Sequence, residues 1–232
     1  MITPLASVLV NRLTGSRTII TRKMQTPPSL TYDQKLKLDD LAERLIASEE
    51  PVTILIDGHE AEISEYLIKK LPHAKVVMDG GSLRASNIKL AAWTDYFVVS
   101  EHFARDYMSY RSLSTEADIK AALIELNKIC RGEAFITLGE KGCAFLKSGM
   151  LQIVPSWLCN AVDTTGAGDV FHGAFTYGVH YSWHIDNIIL FASLTAAISI
   201  EKKGVRESMP DLAVVHHSLN SYERNLKQYF EE

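Results

Sequence analysis

The chain has 232 residues, enough for one α/β domain with a sizeable core, and its 47% hydrophobic and 22% charged content exclude a disordered segment. A net charge of −4 with no long basic run argues against a nucleic-acid binder, and no run approaches the roughly 18 to 20 apolar residues of a membrane span. Cys130, Cys143 and Cys159 are odd in number and show no Cys-x-x-Cys spacing, which disfavours a disulfide framework or zinc site and suits a reducing compartment, the cytoplasm.

In chain order, Ser7–Val10 and Thr18–Thr21 are rich in β-formers and flank Gly15-Ser16, the pattern of a hairpin. The same region holds Arg12, Arg17, Arg22 and Lys23 and no acid before Asp33, so an organelle transit peptide is the alternative. Pro27-Pro28 is a candidate hinge, giving a hairpin unit over 1–26 and an α/β body over 27–232. Tyr32–Ser48 carries apolar residues at 36, 38, 41, 45 and 46, one face of a helix. Val52–Ile56 is a short buried strand ending at Asp57-Gly58; Glu60–Leu71 reads as helix and Pro72 stops it. Strands follow at Lys75–Met78, ending at Asp79-Gly80-Gly81, and at Tyr96–Val99, with a short helix over Ser86–Trp93 between them. Thr115–Cys130 reads as helix and Ala134–Thr137 as strand; Cys143–Lys147 and Leu151–Val154 form a hairpin around Ser148-Gly149. Three helices complete the chain, over Ala167–His180, Asp186–Lys202 and Asp211–Phe230. Alternating strands and helices predict a largely parallel sheet covered on both faces, whose ligands bind beyond the carboxyl ends of the strands. Asp57, Asp79, Ser100 and Thr137 all fall at such ends.

The stretch Val162-Asp163-Thr164-Thr165-Gly166-Ala167-Gly168-Asp169 carries the most information. Small residues at 166 to 168 let the backbone bend tightly and aim its N–H groups at one point, where the positive end of a helix dipole adds to them. That point suits a phosphate, and Asp169 in the first turn is placed to take a proton from an attacking hydroxyl. An ordinary helix start, with Asp163 or Thr165 as the cap, is the bland alternative. The octet resembles the signature of the ribokinase-like (PfkB) carbohydrate kinase family, in which Asp-Thr-x-Gly-Ala-Gly-Asp opens a helix. The resemblance implies that Asp169 is the catalytic base and that Gly166, Ala167 and Gly168 form an anion hole for the transferring phosphoryl group.

Further segments extend the resemblance. Thr137-Leu-Gly-Glu-Lys-Gly142 follows a strand and is by itself an ordinary turn motif; it is not a P-loop. The family has Thr-x-Gly-x-x-Gly here, lining ATP, which implies nucleotide-binding roles for Thr137, Gly139 and Gly142, with Ser100 at the neighbouring strand end. The small residues of Ala192–Ala197, Ser193 and Ala196 among them, correspond to the face that lies against adenine. Lys203–Pro210 is similar to the family's Gly-x-x-x-Ser-x-Pro loop, which with the octet binds a monovalent cation such as K⁺ in many relatives. Asp163 would give a carboxylate, Thr165 and Ser199 carbonyl oxygens and Ser208 a hydroxyl, an all-oxygen set that suits a hard cation; Asp163 as a simple cap is the alternative. Leu9–Ile20 resembles the lid strands of ketohexokinase-like members, making Arg12 a candidate phosphate clamp, or else a solvated arginine, and the lid a candidate homodimer surface.

Two departures temper the match. The family's N-terminal strand, Gly-Gly substrate motif and acidic sugar-holding residue have no counterpart, so the expectation is an incomplete ribokinase-like α/β/α body, a fragment or short isoform, whose sheet lacks a strand that other members place near the middle. Where the family often has Asn-x-x-Glu, the chain has Ser100-Glu-His-Phe103, which leaves open whether Glu101 serves Mg²⁺. The expected function is ATP- and Mg²⁺-dependent phosphorylation of a sugar hydroxyl, with a non-catalytic nucleotide-binding pseudokinase or a nucleoside kinase as alternatives.

Overall fold

The computed structural model describes the backbone of residues 6–10, 17–21 and 29–230 and the side chains of 29–221. Strands β1 (Ala6–Val10) and β2 (Arg17–Thr21) pair antiparallel as a separate two-stranded sheet, Val8 opposite Ile19. The turn of that hairpin and Arg12 lie outside the described residues.

A period of two organises the main sheet. Within β4 (Lys75–Gly80), Val76 and Met78 pack into one apolar layer and Val77 into the other. The same split divides Phe97 and Val99 from Val98 in β5 (Tyr96–Ser100), and Ala134 and Ile136 from Phe135 in β6 (Glu133–Thr137). Strands buried on both faces need helices on both sides, and the chain supplies them. Helices α2 (Ala61–Lys70), α3 (Ala85–Ala91), α4 (Glu101–Tyr107) and α5 (Glu116–Asn127) cover the first face with residues such as Ile68, Leu90, Phe103 and Leu123. Helices α6 (Ala167–His180), α7 (Ile185–Ser199) and the start of α8 (Leu212–Phe230) cover the second with Phe171, Phe175, Ile189 and Val215. Helix α1 (Tyr32–Ala47) starts with a Thr31–Gln34 capping box and packs Ala42 against Leu71 and Ala74.

The sheet runs in chain order, β3 (Thr53–Ile56), β4, β5, β6, β7 (Cys143–Lys147) and β8 (Met150–Val154). The pairs from β3 to β6 are parallel and the last two antiparallel. This is the expected three-layer α/β/α architecture. The expected gap near the middle is absent from the described sheet, because each neighbouring pair is hydrogen-bonded; another strand could join only at an edge, β3 or β8. Element ends shift by a few residues: α7 stops at Ser199 rather than Lys202. Helix α4 was not expected. It starts where Ser100 accepts the Phe103 N–H at 3.0 Å, and its apolar signal is confined to Phe103, Ala104, Tyr107 and Met108, too short to read as a period.

Candidate active site

The octet folds into a tight entry to α6. Gly166 is the N-cap residue in the left-handed region, φ 77° and ψ 0°, with no side-chain cap. Neither Asp163 nor Thr165 caps the helix, contrary to the bland alternative. A side chain at 166 would be strained by that φ and would bring Cβ within 2.6 Å of Val205 Cγ1, so glycine is required. The first helical bond runs from Val170 N–H to Gly166 C=O at 2.9 Å. The amides of Gly168 and Asp169 precede it, in the turn that has no helical carbonyl to bond. A Cβ at Gly168 would meet nothing within 4 Å, which marks open space beside the helix start. Asp169 is exposed beside that space.

Near the carboxyl ends of the strands, the charges of Asp57 and Asp169 act on Asp79 of β4. Burial pushes the Asp79 carboxyl above its ordinary range; His172 opposes this, and the charges of Asp169 and Asp57 add to it. His172, one turn into α6 and 3% exposed, places Nδ1 at 3.4 Å from Asp79 Oδ2. Its Nδ1 also lies 2.6 Å from the Gly168 carbonyl and its Nε2 3.1 Å from the Val98 carbonyl of β5. The sequence reading placed Asp57 and Asp79 at strand ends but missed His172. A lone polar residue among Val170, Phe171, Ala174 and Phe175 was its only signal.

On the next strands, Ser100 Oγ donates to the Gly81 carbonyl at 3.0 Å as well as capping α4. Thr137 Oγ1 reaches the Val99 carbonyl at 3.4 Å. After Thr137 the chain makes a single 3-10 turn over Gly139–Lys141, closed by Leu138 N–H to Gly142 C=O at 2.7 Å. The two glycines differ in kind. Gly142, φ 102°, is pressed against the chain's own Val154 carbonyl and Pro155, whereas Gly139, φ 60°, faces open space. Ser193 and Ala196 stand one turn apart on α7, the first buried and the second half-buried.

Of the four residues of the expected cation site, Asp163 and Ser208 meet at Gly204, and Thr165 is bonded to Asp163. Asp163 Oδ1 accepts the Thr165 N–H at 3.0 Å and Oδ2 accepts the Gly204 N–H at 3.3 Å. Ser208 Oγ donates to the Gly204 carbonyl. Val162 and Asp163 N–H both donate to Ile200 C=O, the residue after Ser199, whose own hydroxyl donates to Ala196 C=O at 2.8 Å. Thr165 Oγ1 is buried with no hydrogen-bond partner. An orphaned hydroxyl beside a buried carboxylate fits a hard, oxygen-seeking cation.

Among the described residues no three His, Cys, Asp or Glu side chains gather as a metal cage, and no helix is long and apolar enough to cross a membrane. The model of the pfkB family carbohydrate kinases matches residues 74–212. A ribokinase of Lactococcus lactis is 29% identical over 189 residues, which cover 82% of this chain and 60% of that protein. The chain therefore spans less than two thirds of this relative's length. The structure of ribokinase from Giardia lamblia superposes with a TM-score of 0.76 at 21% identity, over 95% of this chain and 72% of that one. An Arabidopsis thaliana ribokinase complexed with ribose and ATP superposes with a TM-score of 0.70 at 21% identity, over 91% of this chain and 67% of that one. At such identities the solved structures establish the shared fold.

Proposed function

Because the chain belongs to the pfkB family of carbohydrate kinases, we propose that it carries the nucleotide-binding and phosphoryl-transfer half of an ATP-dependent sugar kinase. One observation supports this reading: left-handed Gly166 opens α6, the Gly168 and Asp169 amides lie in its first turn, a Cβ at Gly168 would meet open space, and Asp169 is exposed. In the transfer, the acceptor hydroxyl gives its proton to Asp169. Its oxygen bonds the γ-phosphorus, the bond to the β,γ-bridging oxygen breaks, and ADP leaves. Gly166, Ala167 and Gly168, with the helix dipole behind them, stabilise the charge on the transferring group. Thr137, Gly139, Gly142 and Ser100 line the phosphates and ribose, and Ser193 and Ala196 the adenine. Mg²⁺ bound with ATP supplies neutralisation of the phosphate oxygens. A sugar acceptor is favoured by the similarity to the Lactococcus ribokinase.

The test is ADP release by the purified 232-residue chain against a panel of sugars and nucleosides, with Asp169→Asn alongside. The variant is expected to bind ATP normally and to turn over at least about 10²-fold more slowly, the lower range for a lost general base. Unchanged turnover would remove Asp169 from this role. ATP binding without ADP release for any acceptor would favour a non-catalytic nucleotide-binding protein, and release with nucleosides alone would move the acceptor class.

A further inference from the structure

At the end of the sheet opposite Asp79, Ser100 and Thr137, the amino ends of β5 and β6 meet the turn between α6 and α7 around a cavity of about 470 Å³. That volume lies in the range of small-molecule sites. Trp183, Ile185 and Ile188 give the cavity an apolar wall. The indole of Trp183 is held edge to face by Tyr177 and Phe191, with ring centroids at 5.6 and 5.2 Å. Tyr96 is fixed through its ring, 5.7 Å from Phe175 and 6.2 Å from Phe135. The charges at the rim do not cancel. Asp95 is taken up: Arg131 donates from Nε at 3.0 Å and from Nη2 at 2.5 Å, and the Val76 N–H donates at 2.8 Å. Asp186, in the first turn of α7, complements the positive end of that helix and meets Lys147 at 3.1 Å and His184 at 3.2 Å. Glu133 is left over. Among the described residues no ion pair includes it. Burial, then the charges of Asp95 and Glu133, hold the Tyr96 hydroxyl above its ordinary range, so the Glu133 carboxylate is felt at that hydroxyl.

We propose that this cavity binds a small primary ammonium ion, with its N–H groups on the Glu133 carboxylate and the Tyr96 hydroxyl and its apolar body against Trp183, Ile185 and Ile188. The ligand class follows from what the lining leaves unmatched. A carboxylate without a counter-cation selects positive charge, and a bond from an ammonium to it is stronger than one between neutral groups. An ammonium brings three donors, and both the carboxylate and the hydroxyl oxygen accept. The indole face adds attraction for the same charge. A neutral molecule of the same shape leaves Glu133 unmatched, and a quaternary ammonium has no N–H for either oxygen. An anion gains little, because Asp186 already complements the start of α7 and Asp95 and Glu133 stand at the rim. The site shares no residue with the proposed phosphoryl-transfer site, so neither reading depends on the other.

The test is an NMR titration of the ¹⁵N-labelled 232-residue protein at neutral pH with three probes of one shape: phenethylamine, a primary ammonium; 2-phenylethanol, its neutral counterpart; and phenylacetate, an anion. Phenethylamine is expected to give saturable shifts at the Tyr96 and Glu133 amides and the Trp183 indole N–H, while the Gly168 and Asp169 amides stay. It is expected to bind at least about 5-fold more tightly than 2-phenylethanol, between the worth of an exposed ion pair and that of a hydrogen bond to a charged group. Glu133→Gln changes an exposed residue at a strand start, so the fold is kept. It is expected to weaken phenethylamine by the same factor and to leave 2-phenylethanol unchanged. Tyr96→Phe keeps the ring packing and is expected to weaken phenethylamine more than 2-phenylethanol. Absence of saturable shifts at these residues would overturn the proposal. So would equal affinity for the amine and the alcohol, or an unchanged response in Glu133→Gln. Tighter binding of phenylacetate would make the start of α7 an anion site and overturn it as well.

Discussion

Asp163 Oδ2 accepts the Gly204 N–H at 3.3 Å across 41 residues of chain. That bond sews the entry to α6 onto the loop after α7. The other side of the same glycine takes the Ser208 hydroxyl, so the Gly204 peptide is held from both ends. Gly204 has φ 84°, a left-handed conformation that the two bonds lock in place.

Asp163→Ala removes a buried acceptor of two backbone N–H groups and leaves both donors without it. The expected cost is about 2–3 kcal/mol, the range for hydrogen bonds to a charged group together with desolvated partners. Urea unfolding monitored by circular dichroism reads it. A loss under about 0.5 kcal/mol would show that the loop is held by other contacts.

The two glycines of the turn separate stability from binding. Gly166→Ala forces a side chain into left-handed backbone and against Val205, and is expected to cost about 1–3 kcal/mol. Gly168→Ala meets nothing in the ligand-free protein and sits in ordinary helical backbone, so its stability is expected to stay within about 1 kcal/mol of the parent. Its methyl would project into the proposed phosphate space, so ATP affinity is expected to fall at least about 10-fold, the equivalent of about 1.4 kcal/mol. Calorimetric titration with ATP beside thermal unfolding of both variants distinguishes the effects. Equal ATP binding by Gly168→Ala and the parent would mean that the turn is only a helix start.

Much of this was legible in the chain because local patterns carried it. Val76, Val77 and Met78 read as a doubly buried strand from their unbroken apolar run, and the octet announced both a turn and a helix with its own residues. The parts that were not legible depend on distant partners. Nothing near Gly142 reveals that a side chain there would meet the Val154 carbonyl and Pro155, a close approach set by the end of β8. His172 is joined to Asp79 and Val98 only because the helix buries that face on β4 and β5. Helix α4 is brief enough that a cap and one apolar cluster define it, and neither stands out from a loop.

The cysteines should be chemically quiet. Burial pushes the Cys130 thiol up to about 11 and lifts the fully buried Cys143 higher still. Cys159 is also raised, by burial first and then by the charge of Glu201. The thiolate is the reactive form, so at about pH 8 native protein is expected to resist iodoacetamide at Cys143 and to react slowly at Cys130, while urea-unfolded chain reacts at all three. Peptide mass mapping checks this. The sign for stability follows from the same shift. The fold favours the neutral thiols, so their contribution is fully present below the ordinary thiol value of 9.0 and is lost as pH rises through about 11 at Cys130. Unfolding midpoints in urea are therefore expected to drop across that alkaline window, and substitution of Cys130 by Ala should shallow the drop.

The remaining prediction concerns the orphaned Thr165 hydroxyl. Oγ1 is buried without a partner, and Asp163 lies two residues away with its carboxylate on the Thr165 amide. Oxygen-only surroundings of this kind favour an alkali or alkaline-earth cation over softer metals. If K⁺ enters the loop formed by Asp163, Thr165, Ser199 and Ser208, it binds the folded state alone and raises the unfolding temperature by mass action. Thermal unfolding in K⁺ against tetramethylammonium at fixed ionic strength is expected to show a higher midpoint in K⁺. ADP release, where present, should rise in parallel, because the same loops set the start of α6. Thr165→Val removes the hydroxyl and fills its space with a methyl. In tetramethylammonium it is expected to be as stable as the parent or slightly more so, since a buried unpaired polar group has gone. If the orphaned hydroxyl, rather than the backbone carbonyl expected from the resemblance, is the Thr165 ligand, the variant loses most of the parent's gain in K⁺. Equal midpoints for the parent in the two salts would remove the cation site and leave family membership intact, whereas a K⁺ response retained by Thr165→Val would assign the contact to the carbonyl or place the cation elsewhere.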